Sequence, residues 1–184
     1  VKTAIDAYNQ LFELNPYKES DLLKAHKSMT SDLVNESGKF RNGGVGVFNG
    51  SKCIHMAPPA AHVPHLIQDL LLWVKKTKTH PLISSCVFHY EFEFIHPFAD
   101  GNGRMGRLWQ TLLLMQWKPI FAWIPVETIV KENQQQYYDA IAQSDKIGNS
   151  TPFISFMLKC IWEALEEMQK SKESEEDSNE VSKL

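Results

Sequence analysis

The chain has 184 residues, 43% of them apolar and 22% charged, and carries a net charge of −3, proportions that suit one globular domain with a sizeable core. The charge leaves no overall basic field for direct nucleic-acid binding, and no apolar run approaches the roughly 18 residues of a membrane span. Cys53, Cys86 and Cys160 are scattered and odd in number, which excludes a disulfide framework and, with no targeting signal at the start, points to reduced thiols in a cytoplasmic protein.

Most of the chain has a helical period. Leu22, His26, Met29 and Leu33 form the first stripe, with His26 on its core-facing edge as a structural histidine. The period breaks between Gly43 and Met56, a short glycine-rich stretch, β-branched in places. Asn49-Gly50 at its centre predicts a type I′ hairpin turn, and Pro58-Pro59 ends the segment. Leu66, Ile67, Leu70, Leu71 and Val74 predict a second helix. Ile83, Val87, Tyr90 and Phe94 predict a third, with Pro81 in its first turn and His89 as a structural residue. Met105, Leu108, Leu112 and Met115 mark a fourth, stopped by Lys118-Pro119. Val130, Asn133, Tyr137 and Ile141 suggest a fifth. Thr151-Pro152 reads as a cap and first-turn proline for a last helix, with Phe153, Met157, Cys160, Ala164 and Met168 inward. After Gln169 almost every residue is polar, which predicts a folded domain over 1–168 and an unstructured acidic tail over 169–184.

Residues 96–107 carry the chemistry: His-Pro-Phe-Ala-Asp-Gly-Asn-Gly-Arg-Met-Gly-Arg. Gly101 and Gly103 flank Asn102 where the fourth helix begins. Such a turn lets backbone N–H groups converge on an anion beside the positive end of a helix dipole, and it also serves as a plain helix cap. Asn102 can add an amide donor. Arg104 and Arg107 share one helix face and sit in the first turn, where their charge opposes the dipole. An anion there offsets that cost, and guanidinium forks match phosphate oxygens. Asp100, just before the turn, would repel phosphate unless a magnesium ion bridged them; it can equally cap the helix. His96, with an ordinary pKa near ~6.5, is the candidate general base. Pro97 after it predicts an extended backbone at His96 and a helix end before the turn. Phe98 should point into the core.

This run resembles the signature of the Fic (filamentation induced by cyclic AMP) family, His-x-Phe-x-Asp/Glu-Gly-Asn-Gly-Arg-x-x-Arg, at every specified position. Gly38-Lys39-Phe40-Arg41 before the hairpin, Tyr137-Tyr138, and Thr151-Pro152-Phe153-Ile154 extend the resemblance over about residues 20–165. The family's phosphotransferase branch, similar to the Doc toxin, has lysine where Gly103 stands. The resemblance implies a mainly α fold, a Fic-type helical bundle with a short β-hairpin flap. It implies a protein adenylyltransferase: AMP passes from ATP to a Ser, Thr or Tyr hydroxyl of a target protein docked on the flap. Carried over, His96 is the base and Asp100 holds Mg2+. Gly101, Asn102 and Gly103 hold the inner phosphates, and Arg104 and Arg107 the outer ones. Ile54, His55 and Met56 border the nucleotide, and Tyr137 or Tyr138 the adenine. Transfer of another nucleotide, removal of AMP by the same site, and a non-catalytic nucleotide-binding scaffold stay open as alternatives. Many family members carry an inhibitory Ser/Thr-x-x-x-Glu-Gly/Asn helix whose glutamate pairs with the second signature arginine. Here only residues 128–133 fit that pattern, in an unusual place. The expectation is therefore a regulatory helix upstream or on a partner protein, with Arg107 free.

Overall fold

The computed structural model describes residues 11–31, 34, 36–49, 51–124 and 126–181, and of residues 47–49, 52–54 and 171–181 the backbone only. In chain order these form α1 (Glu19–Thr30), β1 (Gly46–Asn49), β2 (Lys52–Met56), α2 (Val63–Lys76), α3 (Pro81–Ile95), α4 (Asn102–Trp117), α5 (Val126–Glu132), α6 (Gln134–Ile147) and α7 (Thr151–Val181). Short 3₁₀ turns at Leu11–Glu13, Ala60–His62 and Pro119–Trp123 link them. The fold is mainly α, as expected. No helix among the described residues is long and apolar enough to cross a membrane.

The bundle is built around α3, which packs against α2, α4 and α7. That position explains one departure from the expected stripes. Cys86, Phe88, His89 and Phe92 are fully buried, whereas Ile83 and Val87 are half-buried and Phe94 is 39% exposed. A helix enclosed on several sides is apolar nearly all round, so its period says little about which face is inward. The other stripes hold their places. Leu22, His26 and Met29 are buried on α1, with Leu33 outside the described residues. Ile67, Leu70, Leu71 and Val74 are buried on α2, and Met105, Leu108, Leu112 and Met115 on α4. Cys86 and Cys160 are free and buried, and burial pushes both thiols up to about 12, where thiolate is scarce.

The expected fifth helix is two helices. Asn133 interrupts them: its backbone N–H and its side-chain amide both donate to Ile129 O, at 3.1 and 2.9 Å. An asparagine side chain competes with helix bonding in this way. The last helix does not use Thr151 as its acceptor cap. Asn149 Oδ1 accepts from both the Thr151 N–H and its hydroxyl, at 2.9 and 2.6 Å. Nor does this helix stop near residue 168. It runs to Val181, so the tail expected to be unstructured is helical that far. Lys170, Lys172, Glu173, Glu175, Glu176 and Glu180 are good helix formers and outnumber the poorer Ser171, Ser174, Asp177, Ser178 and Asn179 between them.

The hairpin forms where expected but one residue out of the expected frame. Asn49 pairs with Lys52, so Asn49 ends the first strand instead of making the turn. The ladder also slips. Val47 pairs with His55 and Phe48 with Cys53, which leaves Ile54 as the extra residue of a bulge.

Candidate functional site

The signature begins at the end of α3 and is held from outside. His96 is the C-cap and adopts a left-handed backbone, φ 48, the only positive φ among the described non-glycine residues. The helix ends where Pro97 predicts, but not through the extended conformation expected. Such a backbone is strained by roughly 1–2 kcal/mol and needs outside support. Arg41, 3% exposed, supplies it: Nε donates to His96 O at 2.7 Å, and its other donors reach Ile95 O, Gly43 O and Pro58 O. One buried guanidinium thus ties the hairpin to the helix end.

The loop after His96 is fixed by two more side chains. Gly38 N–H donates to His26 Nδ1 at 2.9 Å, so His26 carries its proton on Nε2 and donates it to Asp100 O at 3.0 Å. Burial lowers the His26 pKa, which favours this neutral ring, and the ring stacks on Phe98 at 3.7 Å. Asn102, 3% exposed, accepts from Phe98 N–H and donates to Phe98 O, both at 2.8 Å. The amide expected to reach a ligand is thus engaged within the loop, where it closes the turn. Gly101 is left-handed at φ 83, and a Cβ there would stand 3.1 Å from Thr30 Cγ2. Its N–H is taken by Asp100 Oδ1 at 2.6 Å. The first-turn N–H groups that follow have no helical carbonyl to reach and remain for an anion.

These residues open on a cavity of about 620 Å³, a volume that suits a small-molecule ligand. His96, Asp100, Gly101, Asn102, Gly103, Arg104, Arg107, Tyr137 and Tyr138 all line it. His96 is lowered to about 4, mainly by burial, so the ring is neutral near pH 7. Its Nδ1 faces Glu93 O at 3.3 Å and therefore carries the hydrogen, which leaves Nε2 as the lone-pair nitrogen. Arg104 lies 3.8 Å from Asp100 Oδ2 and is a third exposed. Arg107 is not free, contrary to expectation: its Nε donates to Glu127 Oε2 on α5. Burial alone would lower Arg107, but that bond and the Glu127 charge hold it above the ordinary guanidinium value. Glu132, the candidate within 128–133, is exposed.

The hairpin brings a different residue to the cavity from those expected. Gly46 lines it. His55 turns away: Nδ1 lies 2.6 Å from Asp145 Oδ2 and Nε2 2.9 Å from Phe94 O. Met56 is 66% exposed and outside the cavity lining, and the Ile54 side chain lies outside the described residues. Strand alternation and the bulge point His55 into the helices, which residue spacing from the signature could not reveal. Tyr137 lines the cavity but is only 4% exposed. Its hydroxyl lies 3.2 Å from His89 Nε2, so it belongs as much to the core.

Glu93, Glu127, Lys131 and Gln134 also line the cavity and fall outside the signature. Glu127 and Lys131 have no local sequence signal. Glu93, one helical turn before His96, could have been found from its spacing as a carboxylate on a buried face. Burial raises it to about 7, with Arg107 and Tyr137 pulling the other way.

Gly106 is a further position that motif reading passes over. A Cβ there would lie 2.7 Å from His89 Cδ2 and 3.0 Å from Glu93 Oε1. Both neighbours are fully or nearly buried, so Gly106→Ala should overpack the α3–α4 contact and cost about 1–3 kcal/mol. A melting curve should fall by several degrees; an unchanged midpoint would contradict this close approach.

Residues 16–114 match the Fic/DOC family. Two proteins named Protein adenylyltransferase Fic are similar to the chain. That of Aedes aegypti is 30% identical over 144 residues and that of Culex quinquefasciatus 32% over 145, covering 76% of this chain and 27% of each relative. The chain therefore spans about a quarter of the length of these curated relatives. A Fic family protein from Desulfovibrio desulfuricans G20 superposes with a TM-score of 0.89 at 50% identity, over 93% of this chain and 53% of that one. Fic-1 of C. elegans shares the fold, with a TM-score of 0.69 at 22% identity, over 92% of this chain and 51% of that one.

Proposed function

The chain belongs to the Fic/DOC family, and on that premise we propose that it is a protein adenylyltransferase, moving AMP from ATP to a hydroxyl of a target protein. The observation that best supports this reading is the state of His96. A neutral ring with its hydrogen turned to Glu93 O leaves a lone pair at the edge of a cavity that also holds the helix N-terminus and two arginines. A base beside a phosphate site suits attack on phosphorus by an alcohol.

In this mechanism the triphosphate lies along the start of α4. Its inner phosphates meet the first-turn N–H groups, and Arg104 and Arg107 meet the outer ones. His96 Nε2 takes the proton of the target hydroxyl. The oxygen attacks the α-phosphorus, and the bond to pyrophosphate breaks. Positioning and charge neutralisation do most of the work, and the base adds typically ~10²–10⁴-fold. The adenine would lie toward Val130, Gln134 and Tyr138, which line the same cavity.

The donor set fits a magnesium ion that arrives with the nucleotide. Asp100 is 63% exposed at the cavity, and the described residues hold no cluster of three or more metal-ligating side chains. Magnesium is commonly bound by one or two carboxylates together with phosphate oxygens and water. Held at Asp100, it would neutralise phosphate charge.

ATP labelled at the α-phosphate should label a protein acceptor, and ATP labelled at the γ-phosphate should not. Label from the γ position would replace this reading with phosphoryl transfer. The hairpin is the proposed docking edge for the target, through strand pairing. Val47 pairs with His55, so Val47→Pro should disrupt the ladder. Target labelling should drop at least several-fold with ATP binding retained; unchanged labelling would argue against docking on this edge.

A further inference from the structure

Glu93 is a buried ionisable group in the cavity lining that this mechanism leaves unused. It sits on α3, one turn before His96, and is 3% exposed. Its Oε1 is buried without a hydrogen-bond partner. Its Oε2 lies 3.7 Å from His96 Nδ1. Burying a carboxyl with an unfilled oxygen is unfavourable, although the Arg107 charge and the Tyr137 hydroxyl favour its ionised form. Arg107 Nε donates to Glu127. His89 Nδ1 donates to Gln110 Oε1 at 2.7 Å, so His89 Nε2, 3.9 Å from Glu93 Oε1, has no hydrogen to give it. Of the two imidazoles beside the carboxyl, only His96 turns an N–H-bearing nitrogen to it, on the Oε2 side.

We propose that the Glu93 carboxylate is the counter-charge of His96, facing the ring nitrogen opposite the reacting one and stabilising the imidazolium formed as His96 takes the target's proton. This deepens the adenylyltransferase reading and rests on it. The step balances without any added reactant. The hydroxyl proton moves to His96 Nε2, the oxygen–phosphorus bond forms, and the bond to pyrophosphate breaks with its electron pair leaving on pyrophosphate. The imidazolium later returns the proton to water. Glu93 touches neither substrate nor phosphorus; it is a positioning residue acting through the ring.

The surroundings of His96 give such a group something to offset. Burial disfavours the charged ring first, the hydrogen bond to Glu93 O offsets part of that, and Arg41 and His55 oppose it further. Asp100 favours it but lies at the phosphate side, where a magnesium ion would offset its charge. Glu93 is the carboxylate behind the ring.

Only the ionised form can act so. The titratable and charged groups facing Glu93 are His89 and His96 on its own helix, Arg107 on α4 and Tyr137 on α6. Glu127 on α5 reaches it through Arg107, and α7 presents the uncharged Phe153 to His89 and Tyr137. With Glu93 raised to about 7, its ionised share grows through neutrality. His96, at about 4, gives no inflection there.

The test is Glu93→Gln in the full chain, with ATP and a protein acceptor. The kcat should fall about tenfold or more while KM for ATP stays within about twofold, the pattern of an interaction made only in the transition state. The parent's kcat should rise with pH through an inflection near 7, absent from Glu93→Gln and restored by Glu93→Asp. A second measurement does not need transfer at all. The His96 ring ¹⁵N shifts of the parent should move with pH at that same inflection, and those of Glu93→Gln should not. Ring shifts that follow the same curve in both proteins would overturn the proposal, whatever the activity. An unchanged kcat profile in Glu93→Gln would do so as well. Absence of any AMP transfer by the parent, with the ring shifts behaving as expected, would instead count against the adenylyltransferase reading.

Discussion

His96→Ala should abolish AMP transfer, by about 10²–10⁴-fold or more, while the protein still binds ATP. The ring is at the cavity edge and 15% exposed, whereas the phosphate donors are backbone groups of α4 and two arginines. The support of the loop also survives. Arg41 holds His96 through its carbonyl, and His26 and Asn102 grip the loop through Asp100 O and Phe98. Alanine therefore removes the base without dismantling the cradle. Label transfer gives kcat and calorimetry gives the affinity for ATP. Transfer near the parent's rate would remove His96 from the chemistry.

The second large effect is expected at the charged groups of the cradle. Arg107→Ala removes a guanidinium held at 17% exposure and leaves Glu127 and Glu93 facing the cavity without it. A lost hydrogen bond to a charged group costs about 1.5–3 kcal/mol, so ATP affinity should fall about 10- to 100-fold. The two unpaired carboxylates add repulsion in the same direction. Asp100→Ala should act differently, because it removes the carboxylate at which magnesium would be held. It should spare binding of ATP alone and remove the gain in affinity that magnesium brings. Calorimetry with and without magnesium separates the two variants. If both bound Mg-ATP as tightly as the parent, the phosphate cradle would be misplaced.

Much of this site is legible in the sequence because its chemistry is local. His96, Asp100, the glycines and both arginines sit on one loop and one helical turn, so their residue types and spacing carry the geometry with them. The helices are legible for the same reason wherever one face is wet. What escapes is whatever depends on how elements meet. Glu127 reaches Arg107 from another helix, and no spacing rule announces it. Arg41 stands in the short run before the hairpin with nothing in its spacing to mark it as buried, yet it donates to four backbone carbonyls. Gly106 is a mid-helix glycine whose reason is His89, on a helix that packs across it. His55 turns away from the cavity because a bulge decides which way its side chain points, and no spacing rule announces a bulge. The enclosed α3 hides its inward face because it has hardly an outward one. The helix past residue 168 shows the converse limit, since polar composition alone does not forbid helix.

The most direct test is chemical. After reaction with ATP and magnesium, mass spectrometry of the acceptor should find an adenylyl group esterified to a Ser, Thr or Tyr hydroxyl. The adduct should be absent when the enzyme is His96→Ala. A phosphoryl adduct in its place, or an equal adenylyl yield from His96→Ala, would contradict the account.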